Sequence, residues 1–279
     1  MSARSAGAAV LLLAFTALTR PAALRIGLRE LGFLAVYGVT GIAMVQWLYL
    51  VAIARMPVGV ALLLEYTAPL MVALYVRAFR GEQVRRRMWW ALALALTGLA
   101  VVAQVWSGLT LDGIGVLAGF GAAAALGAYY LLGERGMGSR DPVSLMAFIF
   151  TFSALLWAVV EPWWRFPFGL LADHVQVLPG VATTAPVWLL VIWVCVLGTV
   201  APFGLVLVAV RHIGPTRTGI VCMVEPVTSG LVAWVVLGEV LTGVQAARRR
   251  GRAGGRRARG DGTASSRRRR AAARGRRAW

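Results

Sequence analysis

The sequence predicts an all-α integral membrane protein, an inverted repeat of two five-helix halves with about eight of the expected ten spans present. Three observations predict it. The chain is 59% hydrophobic and 14% charged, with a mean hydropathy of +0.74, which is typical of a protein that lies in lipid. Apolar runs of about 20 residues recur along the chain, and a helix of that length crosses a hydrocarbon layer of roughly 30 Å. The chain also resembles itself at an offset of 157 residues.

Eight hydrophobic segments are candidates to cross the membrane. The first is marginal in length and the other seven are full spans; they lie near residues 7–19, 31–54, 58–79, 88–106, 112–133, 143–164, 187–210 and 218–237. Because the first run follows Arg4, a cleaved signal peptide is the alternative for it. No small-residue cleavage pattern occurs between Leu24 and Leu28, which favours a retained span.

The internal repeat is marked by proline and Gly-Glu pairs, which are stronger evidence than matched apolar residues. Pro69 and Gly81-Glu82 recur at the same spacing as Pro226 and Gly238-Glu239. The second span therefore maps onto the seventh, and the period is five helices. An odd period makes the second copy enter the membrane from the opposite side, as in transporters whose binding site lies near the midplane between the halves.

The arginines before residue 246 are divided unequally between the loops, with twelve on one side and three on the other. The positive-inside rule assigns the arginine-rich side to the cytoplasm. That side holds Arg20, Arg25, Arg29, Arg77, Arg80, Arg85, Arg86, Arg87, Arg135, Arg140, Arg211 and Arg217, and the arginine-poor side holds Arg4, Arg55 and Arg165.

The segment 246–279 carries fourteen arginines and has no hydrophobic periodicity, which indicates disorder. The topology places it outside, where the insertion rule disfavours positive charge, and the repeat predicts a ninth hydrophobic helix from about residue 245. Our hypothesis is a shifted reading frame. The alternatives are attraction to anionic lipid or, less favoured, to nucleic acid, and no specific nucleic-acid partner is expected.

The string from Pro57 to Pro69, followed by Gly81-Glu82, resembles the first half of an EamA-type carrier of the drug/metabolite transporter superfamily. Glu225-Pro226 with Gly238-Glu239 is similar to the second half, so the resemblance covers residues 7 to 245. The resemblance implies ten helices with both ends cytoplasmic, and hence one helix before Met1 and one after Gln245. The latter is the ninth helix of this chain and the tenth of the family pattern. The expected domains are 1–106 (N-terminal half without its first helix), 112–245 (C-terminal half without its last helix) and the tail 246–279.

Two carboxylates within predicted spans are the leading candidates for a site. Glu65 and Glu225 lie about seven residues into spans three and eight, where contact with lipid would cost several kcal/mol. We expect them to contact a cation or ammonium group, or to titrate with a proton; the alternative is a carboxyl bonded to a neighbouring helix. Pro69 and Pro226 each free a carbonyl one turn earlier, which either exposes backbone to substrate or only kinks the helix for packing.

Polar and aromatic groups elsewhere in the spans are candidates to line a cavity. Gln46, Trp47, Tyr49 and Tyr130 would suit an amphipathic solute of amino-acid size, and the alternative is core or lipid packing. Gly115 and Gly119 form a GxxxG step that predicts close helix approach. Cys195 and Cys222 are expected to be small apolar packing residues.

The sequence lacks a GxSxG elbow, an HExxH pair and a P-loop, so we expect neither an enzyme nor a cofactor or metal site. We predict a secondary transporter of the bacterial plasma membrane. It would export small metabolites such as amino acids by alternating access, with membrane lipid around it and a proton gradient as the candidate drive. The alternative is a truncated non-transporting membrane protein or a lipid-bound scaffold. No sequence pattern specifies an oligomeric state.

Overall fold

The computed structural model describes residues 1–102, 112–161, 168–176, 184–226 and 228. These residues are mostly helical, because in lipid each backbone polar group must be bonded within the chain. They belong to one unit, Met1–Val227, except Thr228, which begins a second unit that ends at Trp279. The predicted ninth helix and the tail 246–279 lie outside the described residues.

Eleven helices can be delimited in this part of the chain. They are α1 (Ser2–Thr19), α2 (Leu28–Gly38), α3 (Val45–Arg55), α4 (Val58–Glu65), α5 (Ala68–Phe79), α6 (Arg86–Val102), α7 (Gly113–Met137), α8 (Pro142–Val160), α9 (Val187–Cys195), α10 (Ala201–Ile213) and α11 (Pro215–Cys222). Two 3₁₀ turns, Pro21–Leu24 and Phe168–Ala172, and two π-helical segments, Val39–Met44 and Val196–Val200, complete the helical structure.

Six helical segments of the described chain are long and apolar enough to cross a membrane: Ser2–Thr19, Leu28–Arg55, Val58–Phe79, Gly113–Met137, Pro142–Val160 and Val187–Ile213. They correspond to six of the eight predicted spans. Of the other two, 88–106 is represented by α6, and 218–237 begins in α11 and continues beyond the described residues. The fold is therefore the predicted all-α membrane bundle.

One short β-hairpin interrupts the helices in the loop before α9. Strand β1 (His174–Gln176) pairs antiparallel with β2 (Thr184–Pro186), with His174 opposite Pro186. This hairpin was not predicted, because three-residue strands are too short to show an alternating pattern.

The first helix packs against the bundle through one face. Helix α1 packs along α8, its Ala8, Ala9 and Leu12 are buried, and the Ser153 hydroxyl lies 3.5 Å from that of Ser5. The first hydrophobic run is thus an integral helix that begins at Ser2 rather than near residue 7.

The repeat extends to an unusual backbone conformation. The π-helical segments begin at Val39 and Val196, the same 157-residue offset found in the sequence, and they contain Gly41 and Gly198. At Gly41 an added Cβ would lie 3.3 Å from the Cα of Tyr129 on α7, so this segment approaches α7 closely. A rare geometry at matched positions indicates common ancestry of the two segments.

Both helices are interrupted before their prolines, and the two interruptions occupy matching positions. Helix α4 ends at Glu65 and α5 begins at Ala68, while α11 ends at Cys222 and helix resumes at Glu225. Pro69 lacks the N–H that would bond the Glu65 carbonyl, and Pro226 likewise leaves the Cys222 carbonyl without its helical donor. Each break thus lies a few residues before its proline.

Ion pairs provide a test of topology, because each pair links groups predicted to lie on the same side. The pairs within the described residues are Arg20–Asp141, Arg80–Glu134 and Arg140–Glu30 on the arginine-rich side, and Arg55–Asp112 and the Met1 amino group with Glu161 on the other. Segment Leu28–Arg55 therefore starts on the arginine-rich side. Its repeat partner Val187–Ile213 ends there, since Ile213 lines the same pocket as Arg80 and Glu134. The two segments cross in opposite directions, as an inverted repeat requires.

Helix α7 is central to the packing and contacts α3, α4, α5, α10 and α11. An added Cβ at Gly115 would lie 2.7 Å from Met56 Cγ, and one at Gly119 would lie 2.8 Å from Leu64 Cδ1. The GxxxG step therefore permits the close approach that the sequence predicted.

Candidate functional site

A hydrogen bond joins the two broken helices. The hydroxyl of Tyr66, in the turn after α4, donates a hydrogen bond to Oε2 of Glu225 at 3.0 Å, and Glu225 follows the turn after α11. These residues belong to different halves of the repeat, and Tyr66 is only 9% exposed. The two breaks therefore bring polar groups from both halves together, with Tyr66 buried and Glu225 exposed.

The second carboxylate lies in the same cluster. Glu65 is partly buried and within electrostatic range of both Glu225 and the Tyr49 hydroxyl on α3. Two carboxylates within electrostatic range of each other repel unless a proton or a cation lies between them. The arrangement is thus suited to hold a proton or an ammonium group.

Helix α7 also contributes to the cluster through Tyr130, which is 3% exposed. Its hydroxyl is in hydrogen-bond contact with the Cys222 thiol, and Cys222 is also within electrostatic range of Glu225. Cys222, expected to be a packing residue, therefore also belongs to the cluster.

Gln46 and Trp47 are adjacent in sequence but lie on different faces of α3. Gln46 is 6% exposed, and neither its amide oxygen nor its amide nitrogen has a hydrogen-bond partner within the described chain. It precedes Tyr49 by three residues and so lies one turn away on the same face. Trp47 is 48% exposed and points about 100° away around the helix, since 3.6 residues make one turn.

The two broken helices cross beside the cluster on its arginine-rich side. Pro69 packs against Gly219 of α11, where an added Cβ would lie 2.9 Å from the proline Cγ. Both residues are buried. This contact separates the carboxylates from the arginine-rich side. Pro226 is partly buried and follows the turn of the second helix break.

Tyr66 is the residue that the sequence interpretation missed. It lies between an intramembrane glutamate and a helix-breaking proline, in the run Glu65-Tyr66-Thr67-Ala68-Pro69. A phenol next to an acid at a break is the signal that could have identified it, because a buried hydroxyl needs an acceptor.

Comparison with known families agrees with the architecture. The sequence profile of the EamA-like transporter family matches residues 1–104 and 113–247, and thus both halves of the repeat. The chain belongs to the EamA-like transporter family. As an EamA chain it is a member of the drug/metabolite transporter superfamily and a multi-pass protein of the plasma membrane.

Curated relatives of this EamA chain include two bacterial exporters. It is 31% identical over 204 residues to the threonine/homoserine exporter RhtA of Salmonella typhimurium (strain SL1344), covering 72% of this chain and 61% of the relative. It is 30% identical over 213 residues to RhtA of Escherichia coli (strain K12), covering 75% and 64%. An uncharacterised transporter of Archaeoglobus fulgidus is 26% identical over 197 residues, covering 70% and 64%. The chain thus spans less than two thirds of these relatives.

A solved crystal structure supports the fold alone. It aligns with a TM-score of 0.63 at 18% identity, covering 84% of this chain and 78% of that one. The arrangement of helices in this EamA chain is therefore one already seen experimentally.

Proposed function

We propose that the protein is a secondary transporter that exports small amino-acid-like metabolites by alternating access. The observation that carries the proposal is the hydrogen bond from Tyr66 to Glu225 between the two halves, with Glu65 beside it. Ionisable groups inside a membrane bundle are costly, and they persist where a transported ion or solute uses them.

The chemistry of the cluster supports a substrate with an ammonium group. Glu65 and Glu225 would contact the ammonium, the phenols of Tyr49 and Tyr130 would line the space around it, and the Gln46 amide would bond a polar substituent. The relatives' printed name, threonine/homoserine exporter, supports an amino acid that also carries a hydroxyl.

A proton is the counter-ion that the cluster favours. When the site is empty, a proton on Glu65 relieves the repulsion between the two carboxylates; when the site is loaded, the ammonium group does the same. The site therefore exchanges one positive charge for another, and export of substrate is driven by entry of protons.

The helix breaks supply the moving parts. The halves, 1–106 and 112–245, rock about the cluster, and the Pro69–Gly219 contact opens when the site faces the arginine-rich, cytoplasmic side. Trp47 has no direct part in this mechanism because it lies on the other face of α3.

Transport in proteoliposomes tests the proposal. Wild-type protein should show threonine counterflow and threonine efflux driven by a pH gradient. Glu65→Gln should abolish the proton-driven component, and Glu161→Gln, whose side chain is 59% exposed at a helix end, is the matched control. Unchanged proton-driven transport in Glu65→Gln would remove the coupling role. Absence of any flux in wild-type vesicles would favour the non-transporting alternative.

A further inference from the structure

A second polar cavity lies between the two halves on the arginine-rich side. It has a volume of about 320 Å³, enough for a solute of amino-acid size. The end of α5 and the loop that follows form one wall, the turn between α10 and α11 forms the other, and Glu134 of α7 closes the side. It lies where the interface between the two halves reaches the arginine-rich side, and this interface leads to the carboxylate cluster.

The charges of this cavity are those of a site for a zwitterion. Arg80 is already paired with Glu134. Arg85 and Arg217 also line the cavity and are exposed, and neither forms an ion pair within the described ranges. Glu82 lines the same space. Two available guanidinium groups and one carboxylate thus face a solute that enters.

The cavity and the cluster lie on one path. Thr216, a buried residue of the cavity wall, precedes Cys222 by six residues on α11, and Val76 follows Pro69 by seven on α5. At 1.5 Å per residue Thr216 lies about 9 Å along α11 from Cys222, the nearest residue of the cluster, so the carboxylates are about 10 Å or more from the cavity. The Pro69–Gly219 contact lies between them.

We propose that this cavity is an entry site that binds the carboxylate of a zwitterionic solute before it reaches Glu65 and Glu225. The inference rests on the proposed transport function. Arg85 and Arg217 hold the carboxylate and Glu82 holds the ammonium group. Since an amino acid is too short to span 10 Å, the solute is released from the entry site when Pro69 and Gly219 separate, and its ammonium group then binds at the cluster.

Initial uptake into vesicles with the arginine-rich side outward tests the entry site. The probes are threonine and threoninol, which keeps the amine and lacks the carboxylate. In Arg85→Gln/Arg217→Gln the KM for threonine should rise about tenfold with Vmax unchanged, which corresponds to about 1.4 kcal/mol for the two exposed guanidinium groups together. Threoninol kinetics should not change. Arg86→Gln/Arg87→Gln removes the same charge outside the cavity and should match wild type.

A labelling experiment separates this proposal from the transport function. A thiol introduced by Thr216→Cys should react with a charged methanethiosulfonate, and threonine should protect it while threoninol should not. Protection in a protein that transports nothing would retain the entry site and overturn the transport proposal. Transport with an unchanged threonine KM in the double arginine variant, or equal losses for both probes, would overturn the entry site. Absence of threonine protection in Thr216→Cys with Arg85 and Arg217 intact would overturn it as well.

Discussion

The two helix breaks have the same backbone conformation but differ in the position of their glutamate. In the first half, Glu65 is the last residue of α4 and the turn follows it; in the second half, the matching position is Cys222 and the acid, Glu225, comes after the turn. The turns themselves coincide at the 157-residue offset, Tyr66-Thr67 against Met223-Val224. The halves are thus alike in conformation and unlike in charge placement.

The difference follows from the opposite directions of the two helices. Helix α4 runs toward the arginine-rich side, so a residue before its turn lies on the arginine-poor side of the break. Helix α11 runs the other way, so a residue after its turn lies on that same side. A strict repeat would place one carboxylate on the arginine-poor side of its turn and the other on the arginine-rich side, and the three-residue displacement places both on the arginine-poor side, where Glu225 bonds Tyr66 and is within electrostatic range of Glu65.

The largest expected effect comes from restoring the strict repeat. Cys222→Glu combined with Glu225→Gln moves the carboxylate to the other side of the break while the number of charges is conserved. Transport of threonine should fall about 10- to 100-fold, because contacts with a charged group contribute about 1.5–3 kcal/mol each. Proteoliposome flux is the measurement.

Two controls accompany that variant. Glu225→Gln alone should lose as much transport as the double variant, and Glu225→Asp, which keeps the charge on its own side, should retain more than either. Recovery of transport when the acid stands at position 222 would show that its side of the break does not matter.

Sequence reasoning named Pro69 and Pro226 as sites of a helix break or a packing kink, and it predicted the opposite directions from the odd repeat period. It did not predict that Tyr66 bonds Glu225, because a contact over 159 positions depends on how two helices cross. It placed Trp47 with Gln46 and Tyr49 as cavity lining, since polar and aromatic residues in one span cannot be assigned to faces without knowing the neighbours. The π-helical segments carry no composition signal and appear only in the backbone.

A smaller effect is expected at the crossing itself. Gly219→Ala would place a methyl group 2.9 Å from Pro69 Cγ, and overpacking of this kind costs about 1–3 kcal/mol. The melting temperature should fall, and the transport rate should change more than the affinity of the cluster for threonine. Gly98→Ala, where nothing lies within 4 Å, is the matched control and should be neutral or stabilising. Equal effects of the two substitutions would remove the crossing from the mechanism.

The smallest effect concerns the capped N-terminus of a helix, in contrast to the uncapped helices at the breaks. Helices α5 and α11 begin without a side-chain cap, whereas α8 begins at Asp141, which accepts hydrogen bonds from the backbone N–H groups of Val143 and Ser144 at 3.1 Å. Desolvation raises the pKa of Asp141, but hydrogen bonds from Ser144 and Val143 and the charge of Arg20 outweigh it and hold the pKa below its usual value.

A depressed pKa makes the contribution of Asp141 to stability depend on pH. The stabilisation is fully present above the ordinary aspartate pKa of about 3.9 and is lost as the pH falls through the lower, folded-state pKa. Asp141→Asn keeps a capping oxygen and should cost about 1 kcal/mol or less at neutral pH. The difference in melting temperature from wild type should therefore shrink on acidification, while Asp173→Asn, in an exposed loop, should show no such trend. A difference that stayed constant with pH would mean that the charge of Asp141 adds nothing to its cap.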